Sequence, residues 1–297
     1  MDSFRCSGGD QNEMDACAQV MALIGAGKPE EALKRANAAL SLPRIPAALM
    51  MMRAYLLAHL GNPEEALASI DAVLGKDSRL RPFLSLASYY ATYMRKADLL
   101  MRWKRYEEAV QTYGEALALD NRDPMLHSSM GQALAYLKRY SEALTAFDRA
   151  LEHASEEKDA TIPFAYHQMN KANALSSLCR YEEAVPLYRK ARSCGHLGSP
   201  LQKALDYNLA CTLALLGCYS EAYAICQQII DRDATFKLAY LAQAEVCMLL
   251  DQLKEAEAIY ARLTLVVPQA ELAAFRSAHQ SVLPYRVYIP AIFEGKR

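Results

Sequence analysis

The feature that most constrains this chain is a short motif that returns along most of its length. Seven segments place an acidic residue and an alanine before an apolar residue, as in "GNPEEALASI", "KRYSEALTAF" and "CRYEEAVPLY". The motif alanines are Ala32, Ala66, Ala109, Ala143, Ala184, Ala222 and Ala256. Their spacings are 34, 43, 34, 41, 38 and 34 residues, and self-similarity at such a period predicts a repeat architecture.

Each repeat also carries small or apolar residues at fixed distances from its motif alanine. Twelve residues before the alanine stand Val20, Ala54, Ala97, Gly131, Ala172, Ala210 and Ala244. Four residues after it stand Ala36, Ile70, Tyr113, Phe147, Tyr188, Cys226 and Tyr260. Small side chains let two helices approach closely, and residues four and seven apart share one helical face. The pattern therefore predicts pairs of antiparallel helices that pack on the next pair.

On these residues the chain resembles the tetratricopeptide repeat family. The fourth repeat follows the family pattern with Gly131, Ala143, Phe147 and Ala150, and the seventh keeps its late proline as Pro268. The resemblance implies an all-α fold, in which about seven helix pairs form a right-handed α-solenoid that ends in a C-terminal capping helix.

The predicted organisation has three parts. Residues 1–12 are expected to be a flexible N-terminus, residues 13–270 the repeat array, and residues 271–297 the capping helix and tail. The repeats are placed at residues 13–46, 47–80, 90–123, 124–157, 165–198, 203–236 and 237–270. Nine, seven and four extra residues precede the third, fifth and sixth repeats, and we interpret them as extensions inside one array. The first of them predicts about two more turns in the following helix.

Composition argues against several classes of function. The net charge is −1, so nothing draws the chain to nucleic acid or to an anionic membrane surface. No apolar run reaches the ~18 residues of a membrane span. The acidic start lacks the basic flank of a signal peptide. These features predict a cytoplasmic protein with no nucleic-acid partner and no direct membrane insertion.

The residue types of catalytic, nucleotide and metal sites do not come together in the sequence. The stretch "GAGKPEEALKRA" looks like part of a phosphate-binding loop, but Ala22 and Pro29 stand where a glycine and a Ser or Thr are needed. The eight cysteines are dispersed with no Cys-x-x-Cys pair, which favours reduced, structural thiols. The six histidines are scattered. We expect no enzyme activity, no cofactor and no metal.

The resemblance also implies where a partner would bind. Family members line a concave groove with the first helix of each pair, at positions about fourteen, eleven and seven before the motif alanine. These positions hold Met52, Tyr55, His59, Arg95, Asp98, Arg102, Ser129, Gln132, Tyr136, Asn170, Asn173, Ser177, Asn208, Cys211 and Leu215. The predicted partner-binding residues are Tyr55, His59, Arg95, Arg102, Gln132, Tyr136, Asn170, Asn173, Tyr207 and Asn208.

The asparagines are the most specific part of this prediction. A side-chain amide offers both a donor and an acceptor, so it can pair with a peptide backbone whatever the side chains are. Family members use asparagines in this way. The alternative is that Asn170, Asn173 and Asn208 bind neighbouring helices instead.

One known family site fits poorly. The clamp that family members use for an acidic C-terminus would fall on Met169, Asn173, Asn208, Leu238 and Ala242 in the last three repeats. The cations that this clamp needs are absent, and without them two carboxylates are not neutralised. We do not expect such a clamp there.

The sequence therefore favours a scaffold or adaptor that holds a peptide segment or helix of a partner protein in the groove. Tyr55, Tyr136 and Tyr207 would form its pockets. Two alternatives stay open. The chain could be a self-assembling structural protein, a homo-oligomer whose apolar tail from Val282 to Phe293 docks in a neighbour's groove or its own. It could also be a chaperone for secreted or membrane clients.

Overall fold

The protein was analysed as a computed structural model, which describes residues 11–42, 45–75, 86–154, 161–194 and 199–266. Over these ranges the chain forms fourteen α-helices and no strand, as the all-α prediction required. The chain divides into two compact units, Met1–Arg122 and Asp123–Arg297. The helices of the first unit are α1 (Gln11–Gly25), α2 (Pro29–Ala38), α3 (Ala47–His59), α4 (Pro63–Leu74), α5 (Leu86–Arg102) and α6 (Tyr106–Leu117). Those of the second are α7 (Pro124–Tyr136), α8 (Tyr140–Ala154), α9 (Thr161–Ser177), α10 (Tyr181–Ser193), α11 (Ser199–Leu215), α12 (Tyr219–Arg232), α13 (Lys237–Leu249) and α14 (Leu253–Val266).

Consecutive helices pack as pairs, and the motif alanine lies at the centre of each pair. Three residues join the two helices of every pair, from α1–α2 to α13–α14. All seven motif alanines are at most 3% exposed. The small residues twelve positions earlier are buried too, so the close helix contact predicted from the sequence is confirmed. At Gly131 the contact leaves no room for a side chain, since an added Cβ would lie 2.7 Å from Cε1 of Phe147.

Every turn within a pair uses the same backbone geometry. The residue five positions before the motif alanine has a positive φ of 58° to 80° in all seven turns. These residues are Gly27, Gly61, Lys104, Lys138, Cys179, Gly217 and Asp251. In the α7–α8 turn the amide of Lys138 donates to the carbonyl of Ala135, and the amide of Arg139 donates to that of Leu134. This double hydrogen bond is the Schellman C-cap, and it explains why the sequence places glycine at three of the seven positions.

The insertions between repeats appear as longer first helices. Helices α5, α9 and α11 have 17 residues each, whereas α3, α7 and α13 have 13. Within the described residues α5 is about one turn longer than α3, and the rest of the extension predicted there falls on residues 76–85, which lie outside the described residues. The capping helix and tail predicted for residues 271–297 lie outside the described residues, as do residues 1–10 of the N-terminus. None of the described helices is long and apolar enough to cross a membrane.

Candidate functional site

In the first unit, the predicted binding residues are exposed. The ring of Tyr55, 52% exposed, stacks on His59 with 6.3 Å between ring centroids. Arg95 and Arg102 are also exposed, one turn on either side of Asp98 on α5. Burial raises the pKa of the Asp98 carboxyl, and the two neighbouring guanidinium groups oppose that rise. This surface combines aromatic and cationic groups that solvent can reach.

In the second unit, most of the predicted binding residues are buried. Gln132, Asn170, Asn173, Tyr207 and Asn208 are each at most 8% exposed, and Tyr136 is half-buried. We call the four residues Gln132, Asn170, Asn173 and Asn208 the amide row, because their amides lie on the successive first helices α7, α9 and α11. A buried amide must find hydrogen-bond partners inside the protein. The hydrogen bonds that these four amides make inside the protein therefore decide which of their donors and acceptors remain for a ligand.

Asn173 is the centre of the amide row. Its Oδ1 accepts a hydrogen bond from the hydroxyl of Tyr188 at 2.6 Å and another from Nδ2 of Asn208 at 2.9 Å. In this orientation the amide uses its oxygen for both contacts, and its nitrogen takes part in neither. Nδ2 of Asn173 then points away from both donors, and it has no hydrogen-bond partner among the described residues. The asparagine thus keeps an unused donor in a buried position.

The other members of the amide row also join successive first helices. Nδ2 of Asn170 donates to Oγ of Ser128 at 3.3 Å, and Nε2 of Gln132 donates to the hydroxyl of Tyr166. The hydroxyls of Ser176 and Thr212 lie 3.2 Å apart between α9 and α11. These contacts are of the kind expected in the alternative interpretation, in which the asparagines bind neighbouring helices.

Sequence reasoning missed the partners of the amide row. From the sequence, Tyr188 was identified only as a packing residue four positions after a motif alanine, and no role was predicted for Ser128, Tyr166 or Thr212. The signal that could have found them is their spacing, since three of the contacts join residues 34, 35 and 36 positions apart, close to one repeat. Tyr188 carries a second signal, because a buried tyrosine usually requires a partner for its hydroxyl.

A small pocket, open to solvent, lies beside the amide row, and its volume of about 10 Å³ has room for about one water molecule. It is lined by Gln132, Ala135, Phe147, Asn170, Asn173, Ala174 and Ser177. Its walls are apolar apart from the three amides and the hydroxyl of Ser177, and no charged side chain lines it. The hydroxyl of Ser177 donates to the backbone carbonyl of Asn173 at 3.0 Å. The pocket can therefore offer neutral hydrogen-bonding groups in a largely apolar setting.

Ionisable groups in the core of the second unit are held neutral by burial. Burial raises the pKa of the Cys211 thiol to about 12 and raises that of the Tyr207 hydroxyl. Burial also lowers the pKa of His167 to about 4, and neither ring nitrogen of that residue has a hydrogen-bond partner among the described residues. Such groups are poor nucleophiles and poor proton carriers near neutral pH.

The cysteines that the structure describes show no arrangement for metal or disulfide chemistry. The seven described cysteines are free thiols, and Cys17, Cys211, Cys226 and Cys247 are buried. Cys179 and Cys218 are exposed in interhelix turns, which the expectation of packed thiols did not anticipate. In the described part of the chain no three His, Cys, Asp or Glu side chains form a group that could hold a metal ion.

Comparison with known sequences finds tetratricopeptide repeats along most of the chain. Three sequence models of this repeat match residues 17–85 and 128–196, residues 97–138, and residues 165–282. The chain is 23% identical over 266 residues to a DnaJ homolog subfamily C member 7 homolog of Dictyostelium discoideum. That match covers 87% of this chain but only 46% of the relative.

Solved structures of similar fold are tetratricopeptide repeat proteins and a pilus factor. A tetratricopeptide repeat protein from Parabacteroides merdae has a TM-score of 0.61 at 15% identity, over 92% of this chain and all of that one. PilW, a type IV pilus biogenesis factor, has a TM-score of 0.60 at 16% identity, over 77% of this chain and 98% of its own. At these identities the likeness concerns the fold.

Proposed function

Because the chain belongs to the tetratricopeptide repeat family, whose members generally mediate protein–protein interactions, we propose that it is a scaffold or adaptor that binds a partner's peptide segment beside the amide row. The observation that carries the proposal is the pocket at Asn173 with its unused Nδ2 donor. A buried donor without a partner costs about 1–3 kcal/mol. In the proposed complex a peptide carbonyl enters the pocket and reaches Nδ2, which is buried in the free protein, and so removes that cost and adds a hydrogen bond.

The pocket also restricts which peptide fits. Its walls include Ala135, Phe147 and Ala174, and its polar groups are neutral. A carboxylate would lose hydration there without gaining a cation, so the segment bound at this point is uncharged. This agrees with the absence of cations at Leu238 and Ala242, where the family's acidic clamp would need them. The ligand proposed here is a neutral stretch of backbone, of which a single carbonyl group enters the pocket.

The exposed surface of the first unit is a separate candidate for partner contact. Tyr55, His59, Arg95 and Arg102 offer a stacking face and two guanidinium groups. Arginine favours carboxylates through paired hydrogen bonds, so this surface suits an acidic or aromatic segment. The family is typically non-enzymatic, and we propose no reaction for this chain. We also propose that the protein is cytoplasmic.

The test uses a peptide-display library as the source of ligands. Peptides selected on the full chain are synthesised, and their affinity is measured by fluorescence anisotropy. Ser177→Trp fills the mouth of the pocket and should weaken binding by about tenfold or more. Ser193→Trp is the matched control, since Ser193 is exposed on α10 and does not line the pocket. Equal affinity of all three proteins would exclude the pocket as the binding site.

A role as a chaperone is a second candidate, and the similarity to a DnaJ homologue favours it. A chaperone of this kind would hold unfolded clients and keep them from aggregating. Light scattering of a heat-denatured client enzyme, with and without an equimolar amount of this chain, measures that activity. Unchanged aggregation would remove this candidate and leave the peptide-binding proposal intact.

A further inference from the structure

The last described turn carries an exposed apolar patch. Met248 is 43% exposed, Leu249 52%, Leu250 38% and Leu253 58%. All four residues lie within six positions of one another, at the end of α13 and the start of α14. We call them the terminal turn patch. Contiguous exposed apolar side chains are unusual on soluble proteins and generally mark a surface that something covers.

The patch is specific to this turn. In the described turns of the other pairs, Leu178 is the only large hydrophobic residue of comparable exposure, at 36%. Where Leu253 begins α14, the other second helices begin with Pro29, Pro63 or a half-buried tyrosine. The exposed leucines are therefore not a requirement of the repeat, and the shared turn geometry does not explain them.

The chain that follows α14 can reach this patch. Helix α14 has 14 residues, so its end at Val266 lies about 20 Å along the helix from the turn. Fifteen residues, 267–281, precede Val282. They span about 22 Å if helical and more if extended. The connection is thus long enough for Val282–Phe293 to reach the patch when it runs back along α14.

The composition of that segment matches the patch. It contains Leu283, Val287, Ile289, Ile292 and Phe293, and its single charged residue is Arg286. Beside the patch, Asp251 and Glu255 are exposed, and one lysine, Lys254, stands between them. An apolar segment with one cation is therefore complementary in composition to an apolar surface edged by two carboxylates. Burying leucine side chains in such a contact removes apolar surface from water and stabilises the contact.

We propose that Val282–Phe293 covers the terminal turn patch of the same chain. The segment buries Leu249 and Leu253, and Arg286 lies beside Asp251. The contact seals the end of the repeat array against association with other proteins. A second copy would offer the same segment, but the short connection of fifteen residues gives the segment of the same chain a high local concentration.

Photo-crosslinking of the full chain tests this contact. Leu253→p-benzoylphenylalanine places a photoreactive group in the patch, and Leu265→p-benzoylphenylalanine is the matched control. Leu265 is 86% exposed at the far end of the same helix. After irradiation of dilute protein, mass spectrometry should find the residue 253 probe joined to residues 282–293 in a product of monomer mass. The residue 265 probe should not reach that segment.

A second variant tests the chemistry of the contact. Adding Leu249→Asp to the residue 253 probe should lower the yield of the crosslink by about tenfold, because a carboxylate is costly in an apolar contact. Circular dichroism checks that the variant keeps its helices; if it does not, the two probes alone decide. A crosslink found only at dimer mass would assign the patch to a second copy and overturn the proposal. No crosslink to residues 282–293 would overturn it as well.

Discussion

At the scale of single residues, close packing of a helix pair can require a position that carries no side chain. Gly131 faces the ring of Phe147, and nothing larger than hydrogen fits between them. Gly114 also lies within a helix, but an added Cβ there would meet nothing within 4 Å. Glycine at position 131 is therefore required by packing, whereas glycine at position 114 is not.

Gly131→Ala should destabilise the protein by about 1–3 kcal/mol, because overpacking forces Phe147 to move. Gly114→Ala is the control and should be neutral or stabilising by up to about 1 kcal/mol, since alanine favours helix. Urea unfolding measures both. If Phe147→Leu in the Gly131→Ala background does not recover part of the loss, the clash is not its cause.

His167 links stability to pH through its burial. Its pKa is 6.5 in the unfolded chain and about 4 in the folded one. The unfolded state therefore takes up a proton between these values that the folded state does not. Above about pH 7 the imidazole of His167 is neutral in both states and costs no stability. As the pH drops from about 6.5 towards 4, the unfolded state gains a proton and the free energy of unfolding falls.

At pH 5 the loss due to His167 should be about 2 kcal/mol relative to pH 7. His167→Leu should remove this part of the pH dependence, whereas His59→Leu, at an exposed position, should keep it. Urea unfolding of the three proteins at the two pH values gives the comparison. If wild type and His167→Leu lose the same amount of stability between pH 7 and pH 5, the proton taken up on unfolding binds to a group other than His167.

At the scale of elements, the interhelix turn is the unit that repeats most faithfully. Its left-handed residue is glycine in three turns but Lys104, Lys138, Cys179 or Asp251 in the others. A non-glycine residue in this region is strained by about 1–2 kcal/mol. The turn geometry thus overrides the local preference of the sequence at four positions.

Lys138→Gly should stabilise the protein by about 1 kcal/mol, because it removes this strain where φ is 60°. The reciprocal change, Gly61→Ala at a φ of 80°, should cost a similar amount. Thermal unfolding reports both changes. If Lys138→Gly is less stable than the wild type, the lysine side chain contributes more to stability than its backbone strain costs.

The sequence predicted the helix pairs well because their signals are local and repeated. The motif alanines, the small residues facing them and the turn glycines each reflect a contact that recurs seven times. Burial of the amide row was not predictable in this way. Whether Asn173 meets solvent or Tyr188 depends on a packing partner fifteen residues away, which helical periodicity alone does not reveal. The prediction that Asn170, Asn173 and Asn208 bind a partner stays a prediction.

At the scale of the whole molecule, each compact unit offers its own kind of surface. The first exposes the aromatic and cationic residues Tyr55, His59, Arg95 and Arg102. The second buries its amides in contacts between helices and keeps one unused donor beside a neutral pocket. Two surfaces of different chemistry suit a protein that joins different segments, which is the role proposed for this scaffold.

The measurement that tests this account most directly is nuclear magnetic resonance of the Asn173 side-chain amide during titration with a peptide selected on the full chain. The account predicts that this NH₂ pair shifts strongly, with the amides of Gln132 and Asn170 shifting less and the exposed Asn62 unchanged. Perturbations confined to other parts of the protein, with the Asn173 amide unmoved at saturation, would contradict it.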